Sequence, residues 1–210
     1  MTRDAAHRHL ARDPVMRGLI RRHGRCALTP DHQSPYESLM RAVAHQQLNS
    51  RAARTILERF VALFGDGRFP APADVVAARA ATLRRAGFSR AKVRSLKDIA
   101  RHALAGTVPT RRAVRSLDDE EIIGRLVPIR GVGRWTVEML LIFTLGRPDV
   151  LPVDDFGVRE GYRVAYGKRV RPTPKALRAH GERWKPYRSV AAWYLWRAAN
   201  EAREKRKKAR

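Results

Sequence analysis

Three observations predict an all-α fold for this 210-residue chain. Apolar residues recur at helical spacing through most of its length. Helix start and stop residues punctuate those stretches repeatedly. No segment of useful length alternates apolar and polar residues as a half-buried strand would. The chain is organised around Leu126–Arg159, where a Gly-x-Gly turn (Gly131, Gly133) joins two helical segments and two carboxylates, Asp154 and Asp155, follow.

Taken in order, Asp4 to His23 reads as one helix with a narrow apolar stripe (Leu10, Val15, Leu19, Ile20), stopped by Gly24. Ser34-Pro35-Tyr36-Glu37 is a start signal: serine caps, proline takes the first helical position, and Glu37 completes a capping box. Tyr36, Leu39, Met40, Val43, Ala44 and Gln47 then share one face. His45-Gln46-Gln47-Leu48-Asn49-Ser50 follows, which on residue types alone is a polar junction with one packed leucine. Ala52–Phe64, Ala73–Arg85 and a helix capped by Ser89 come next; the last has Val93, Leu96, Ile99 and Ala100 on its inner side. Ser116 is expected to cap Leu117–Val127, and the acids Asp118 to Glu121 suit a helix N-terminus better than a metal. Arg134–Leu145 is apolar nearly all round, the pattern of a central buried helix. Helices after Asp155, from Thr173-Pro174 and from Pro186 complete the chain, and the basic tail 203–210 is expected to be disordered and able to touch phosphates.

Lysine and arginine number 44 against 20 acids, a net charge of +24. Such an excess points to a polyanion, nucleic acid first and an acidic membrane surface second. The lone Cys26 excludes an internal disulfide and a four-cysteine cluster. With no apolar run of spanning length and no signal-peptide pattern, the expectation is a soluble, cytoplasmic protein, associated with the nucleoid if bacterial. A glycine turn leading into a helix brings backbone N–H groups and partial positive charge to an anion, and Arg130 and Arg134 flank it.

Four pieces in order carry a resemblance: Ala44-His45-Gln46-Gln47-Leu48, Gly131-Val132-Gly133-Arg134-Trp135-Thr136, Leu151-Pro152-Val153-Asp154-Asp155-Phe156 and Arg183-Trp184-Lys185-Pro186-Tyr187-Arg188-Ser189. Together the sequence resembles the helix-hairpin-helix DNA glycosylases, most closely the 3-methyladenine DNA glycosylase II group. The resemblance implies two helical lobes with a cleft between them; the chain lacks the length for the extra N-terminal β domain of some enzymes in the group, so none is expected. A single domain over 1–202 would hold a helical-barrel lobe at roughly 50–146, with the hairpin at 128–133, and a second lobe from 1–49 plus 147–202. It implies that Asp155 is catalytic, with Asp154 a cap or support, and that Trp135, Phe156 and Trp196 wall the base pocket. From the residues alone, Met139 reads as core, and Trp196 fits core and pocket equally.

The position of Leu48 matches the side chain that fills the gap left by a flipped base, and Gln47 and Asn49 would meet the DNA beside it. Arg130, Gly131, Gly133, Arg134 and Thr136 would hold a phosphate. Trp135 stands where lyase relatives carry a Schiff-base lysine, which implies a monofunctional enzyme leaving an abasic site. The implied partner is double-stranded DNA with damaged bases, bound by a monomer, with no membrane. No cofactor is required, although the resemblance admits a monovalent cation at the hairpin carbonyls.

Overall fold

The computed structural model describes residues 3–48, 50–65 and 67–209, and among these there are helices and turns but no strand. The chain forms two compact units, one of Asp31–Leu140 and one of Met1–Pro30 with Leu141–Arg210. The expected lobe boundaries therefore move. Residues 31–48 belong with the hairpin, because Leu39, Met40, Val43 and Ala44 of α3 (Pro35–His45) are fully buried and α3 packs on α4 (Ser50–Ala62), α7 (Arg90–Leu104) and α9 (Arg134–Met139). Burying four such side chains contributes about 1.5–3 kcal/mol for each of the larger ones.

Within this unit, Ser34 Oγ accepts the Glu37 N–H as a cap. The Glu37 carboxylate pairs with Arg41, one turn on, instead of closing the expected capping box. The stretch 73–85 is two short helices, α5 (Pro72–Ala77) and α6 (Ala80–Arg85). Asp118, not Ser116, caps α8 (Asp119–Leu126), and Glu121 reaches back to the Asp118 N–H. Ser116 instead ends a 3-10 turn and donates to Ala113 O. Ser89 caps α7, as expected.

In the other unit, Asp13 and Pro14 split the anticipated first helix into α1 (Arg3–Leu10) and α2 (Pro14–His23). Proline has no N–H to continue α1, and Asp13 accepts the Val15 N–H at 2.9 Å. The same carboxylate accepts from half-buried Tyr166 Oη and buried Trp184 Nε1, which ties the start of α2 to the aromatic core. Leu140–Thr144 is a π-helical turn rather than the end of a straight helix. α10 (Phe156–Ala165) lies close against α12 (Arg188–Lys208), because Gly161 brings its backbone onto Leu195; a Cβ there would stand 1.9 Å from Leu195 O.

The tail expected to be disordered is helical through Lys208. Its Lys, Arg, Glu and Ala residues favour helix, Lys205–Glu201 and Lys207–Glu204 pair along it, and its last turn carries cations where the helix dipole favours them. No helix of the described residues is long and apolar enough to cross a membrane.

Candidate active site

The hairpin begins where Pro128 stops α8. Ile129 and Val132, both buried, anchor it, and the Val132 N–H closes it on Ile129 O at 3.0 Å. The Arg130 N–H donates to Asp98 of α7 at 2.9 Å, so this amide belongs to the scaffold while the Arg130 side chain is exposed. The two glycines have different reasons. Gly131 has φ +80, and a Cβ would stand 2.5 Å from Ser95 Oγ, so folding alone demands glycine. Gly133 has ordinary extended backbone (φ −93) as the N-cap of α9, and a Cβ would meet nothing within 4 Å. The fold does not require glycine there, whereas a ligand approaching the backbone would.

Arg134 is not a free cation. Its guanidinium is bonded to Glu120 and, at 3.2 Å, to the buried Glu138. The Glu120 bond above all holds it above the usual guanidinium pKa. Thr136 is buried, so its side chain faces the interior and not a ligand; the third position of a helix whose inner face carries Val137 and Glu138 is taken into the core. Trp135, by contrast, is 44% exposed.

The junction after α3 lies beside the hairpin. Gln46 Nε2 donates to Gly131 O at 2.9 Å. Gln47 adopts the left-handed conformation, with φ 57, and Leu48 is 39% exposed instead of packed. Asn49 falls outside the described residues. A hollow of about 480 Å³ is lined by Ala42, His45, Gln46, Gln47, Trp135 and Met139, so Met139 reaches a cavity and not only core.

In the second unit, the turn from Pro152 to Asp155 closes with the Asp155 N–H on Pro152 O at 3.0 Å. Asp155 Oδ1 caps α10 through the Val158 N–H at 2.7 Å, and accepts Trp196 Nε1 at 2.8 Å. The cap is thus Asp155 itself; Asp154 is exposed in the turn before it. Gly157 allows this closeness, since a Cβ would stand 2.8 Å from the Trp196 ring. Phe143, from the π-helical turn, stacks on Trp196 at 5.5 Å. The apolar run of Arg134–Leu145, expected to be buried, gave no sign of this: Phe143 is 38% exposed. Phe156 is 65% exposed and carries the Arg171 guanidinium 4.4 Å above its ring. The loop feeding Asp155 is fixed from below: Arg188 grips Asp149 through both oxygens, and buried Ser189 accepts the Val150 N–H and donates to Arg147 O.

One unit holds a carboxylate fixed by an indole and a helix N-terminus; the other carries a glycine turn between two helices, a helix-hairpin-helix, followed by an exposed aromatic. Residues 40–186 match the model of the HhH-GPD superfamily of base excision DNA repair proteins. The chain is 45% identical over 172 residues to DNA-3-methyladenine glycosylase 1 of Schizosaccharomyces pombe, covering 82% of this chain and 75% of that protein. The structure of a Schizosaccharomyces pombe 3-methyladenine DNA glycosylase (Mag1) in complex with abasic DNA superposes with a TM-score of 0.82 at 42% identity, over 91% of this chain and 95% of that one. A DNA-3-methyladenine glycosidase from Bacillus halodurans gives a TM-score of 0.84 at 33% identity, over 93% and 89%. The chain belongs to the HhH-GPD superfamily.

Proposed function

We propose that this chain is a monofunctional DNA glycosylase of base excision repair that flips alkylated purines out of duplex DNA and hydrolyses their N-glycosidic bond. The observation that carries the reading is Asp155, a carboxylate held in place by Trp196 Nε1 and the Val158 N–H. As the base departs, positive charge builds on the deoxyribose. A fixed carboxylate stabilises that charge and can orient the attacking water. The exposed indole of Trp135 and the Phe143–Trp196 stack supply electron-rich surfaces that favour cationic purines such as 3-methyladenine and 7-methylguanine. Trp135 has no amine, so no Schiff base forms through that position.

For DNA binding, Gly133 supports a phosphate against the hairpin backbone, and Leu48 supports insertion into the emptied stack. Arg130 is the exposed cation of the hairpin; Arg134 would have to leave Glu120 to reach DNA. A monovalent cation would be held by the hairpin carbonyls, Ile129 O and Gly131 O among them. Each accepts one hydrogen bond and keeps a second lone pair, and an ion there would add positive charge behind the phosphate. The working unit we infer is a monomer acting on double-stranded DNA with damaged bases, in the compartment that holds the DNA.

The test is release of bases from a panel of alkylated and deaminated duplexes, with borohydride trapping alongside. Release of 3-methyladenine or 7-methylguanine without a trapped adduct is expected. Tight DNA binding with no base released from any lesion would leave a DNA-binding protein without catalysis, and a trapped adduct would make it a lyase.

A further inference from the structure

Lys92 lies one helix away from everything assigned above, yet it points at the junction that carries Leu48. It occupies the first turn of α7, where Ser89 caps its own N–H. Its half-buried ammonium turns onto backbone carbonyls, unlike the exposed Arg90, Arg94 and Arg101 of that helix. It donates to Ala44 O at 2.8 Å and to Gln46 O at 2.7 Å. These carbonyls lie at the C-terminal end of α3, where helical acceptors lack partners and the helix dipole favours a cation. Burial lowers the Lys92 pKa, as expected of an ammonium taken inward.

The two bonds fix the chain on either side of His45. Immediately afterwards Gln47 enters the left-handed region, and the Leu48 N–H returns to His45 O at 3.2 Å. A glutamine with φ 57 is unfavourable unless its surroundings hold it there. Gln46 supplies the other restraint: its backbone carbonyl receives Lys92, while its side-chain amide reaches Gly131 O. Lys92, Gln46 and Gly131 thus form one continuous chain of hydrogen bonds from α7 through the junction to the hairpin.

We propose that Lys92 is a positioning residue for base flipping, bracing the Gln46–Leu48 turn against the hairpin so that phosphate capture at Gly131–Gly133 and insertion of Leu48 act as one rigid step. The proposal rests on the glycosylase reading and on Leu48 as the inserted side chain. A brace of this kind matters only when the base must be pulled from a stack. Its loss should therefore affect duplex substrates selectively, unlike a general loss of stability.

The experiment compares wild type, Lys92→Met, Lys92→Arg, Gln46→Leu and Leu48→Ala on the same alkylated lesion in a duplex and in a single strand, under single-turnover conditions. Melting temperatures are measured in parallel. Lys92→Met should slow duplex excision about tenfold, equivalent to about 1.4 kcal/mol, and single-strand excision less than about threefold. Lys92→Arg, which keeps charged donors, should recover part of the duplex rate. Gln46→Leu should show the same duplex-selective loss, which keeps the proposal open to refutation if Lys92→Met folds poorly. The Lys92→Met/Leu48→Ala double variant should be no slower on duplex than Leu48→Ala alone, because both changes remove one step. Equal losses on both substrates, or a fully additive double variant, would overturn the brace. A wild type that excises nothing from either substrate would instead defeat the glycosylase reading itself.

Discussion

Replacing Gly161 with alanine tests how closely the carboxylate is tied to the packing beneath it. A Cβ at Gly161 would lie 1.9 Å from Leu195 O and 2.4 Å from Leu195 C, both backbone atoms that no rotamer change can move. Real Cβ contacts do not fall under 3.0 Å, so α10 and α12 must separate by about 1 Å. Overpacking of this kind costs about 3 kcal/mol, the upper part of its usual range. For a protein of this length that corresponds to a fall of about 6–12 °C in Tm. Gly18→Ala and Gly124→Ala are the controls. Both sit inside helices with nothing within 4 Å, and alanine there should stabilise by about 0.5–1 kcal/mol. Circular-dichroism melts read all three. Because Asp155 starts α10 and Trp196 rides on α12, Gly161→Ala should also reduce excision below the level set by the folded fraction. A Gly161→Ala variant that melts with the wild type would refute the packing argument.

At the hairpin, Gly133→Ala should leave Tm unchanged and weaken DNA binding about tenfold, while Gly131→Ala should lower both stability and binding; titrations and melts of the two variants separate them. Glu120→Gln should free the Arg134 guanidinium, raise DNA affinity a few-fold and steepen its salt dependence by about one unit of slope. Unchanged affinity would show that Arg134 is a structural partner of Glu138. Replacing Arg203, Arg206 and Lys207 with glutamine should lower the salt slope by about 1–3 units with single-turnover excision at saturating enzyme unaltered; an unchanged slope would take the end of α12 off the DNA.

Much of the architecture was legible because its signals are local. Ser34, Ser89 and Thr173 cap the helices their positions announce, and each cap bond spans three residues. The glycine hairpin joins α8 to α9, as its motif announces. What was not legible depends on residues far apart in the chain. No side-chain cap marks the break at Ala78-Arg79, and nothing in the run after Met139 announces a π-helical turn. Thr136 and Arg134 are expected to hold a phosphate from their place after the hairpin, but the sequence does not show that Thr136 is buried or that Glu120 and Glu138 hold the Arg134 guanidinium. Nothing in the sequence sets Lys92 apart from the other cations of its helix, since its partners Ala44 and Gln46 are backbone carbonyls more than forty positions away. The symmetry of Asp154 and Asp155 was broken by the turn between Pro152 and Asp155, which sets only the second acid against Trp196.

The central claim is that Asp155 serves chemistry through its charge and the fold through its oxygen. Asn at this position keeps an oxygen for the Val158 N–H and for Trp196 Nε1, and caps a helix about as well as Asp does, whereas Ala removes both and should cost about 1–3 kcal/mol. The most direct measurement is therefore single-turnover release of 3-methyladenine from duplex DNA by Asp155→Asn, with its melting curve recorded beside it. A wild-type Tm with excision slowed at least about a hundredfold is predicted. Excision by Asp155→Asn at the wild-type rate would contradict the account.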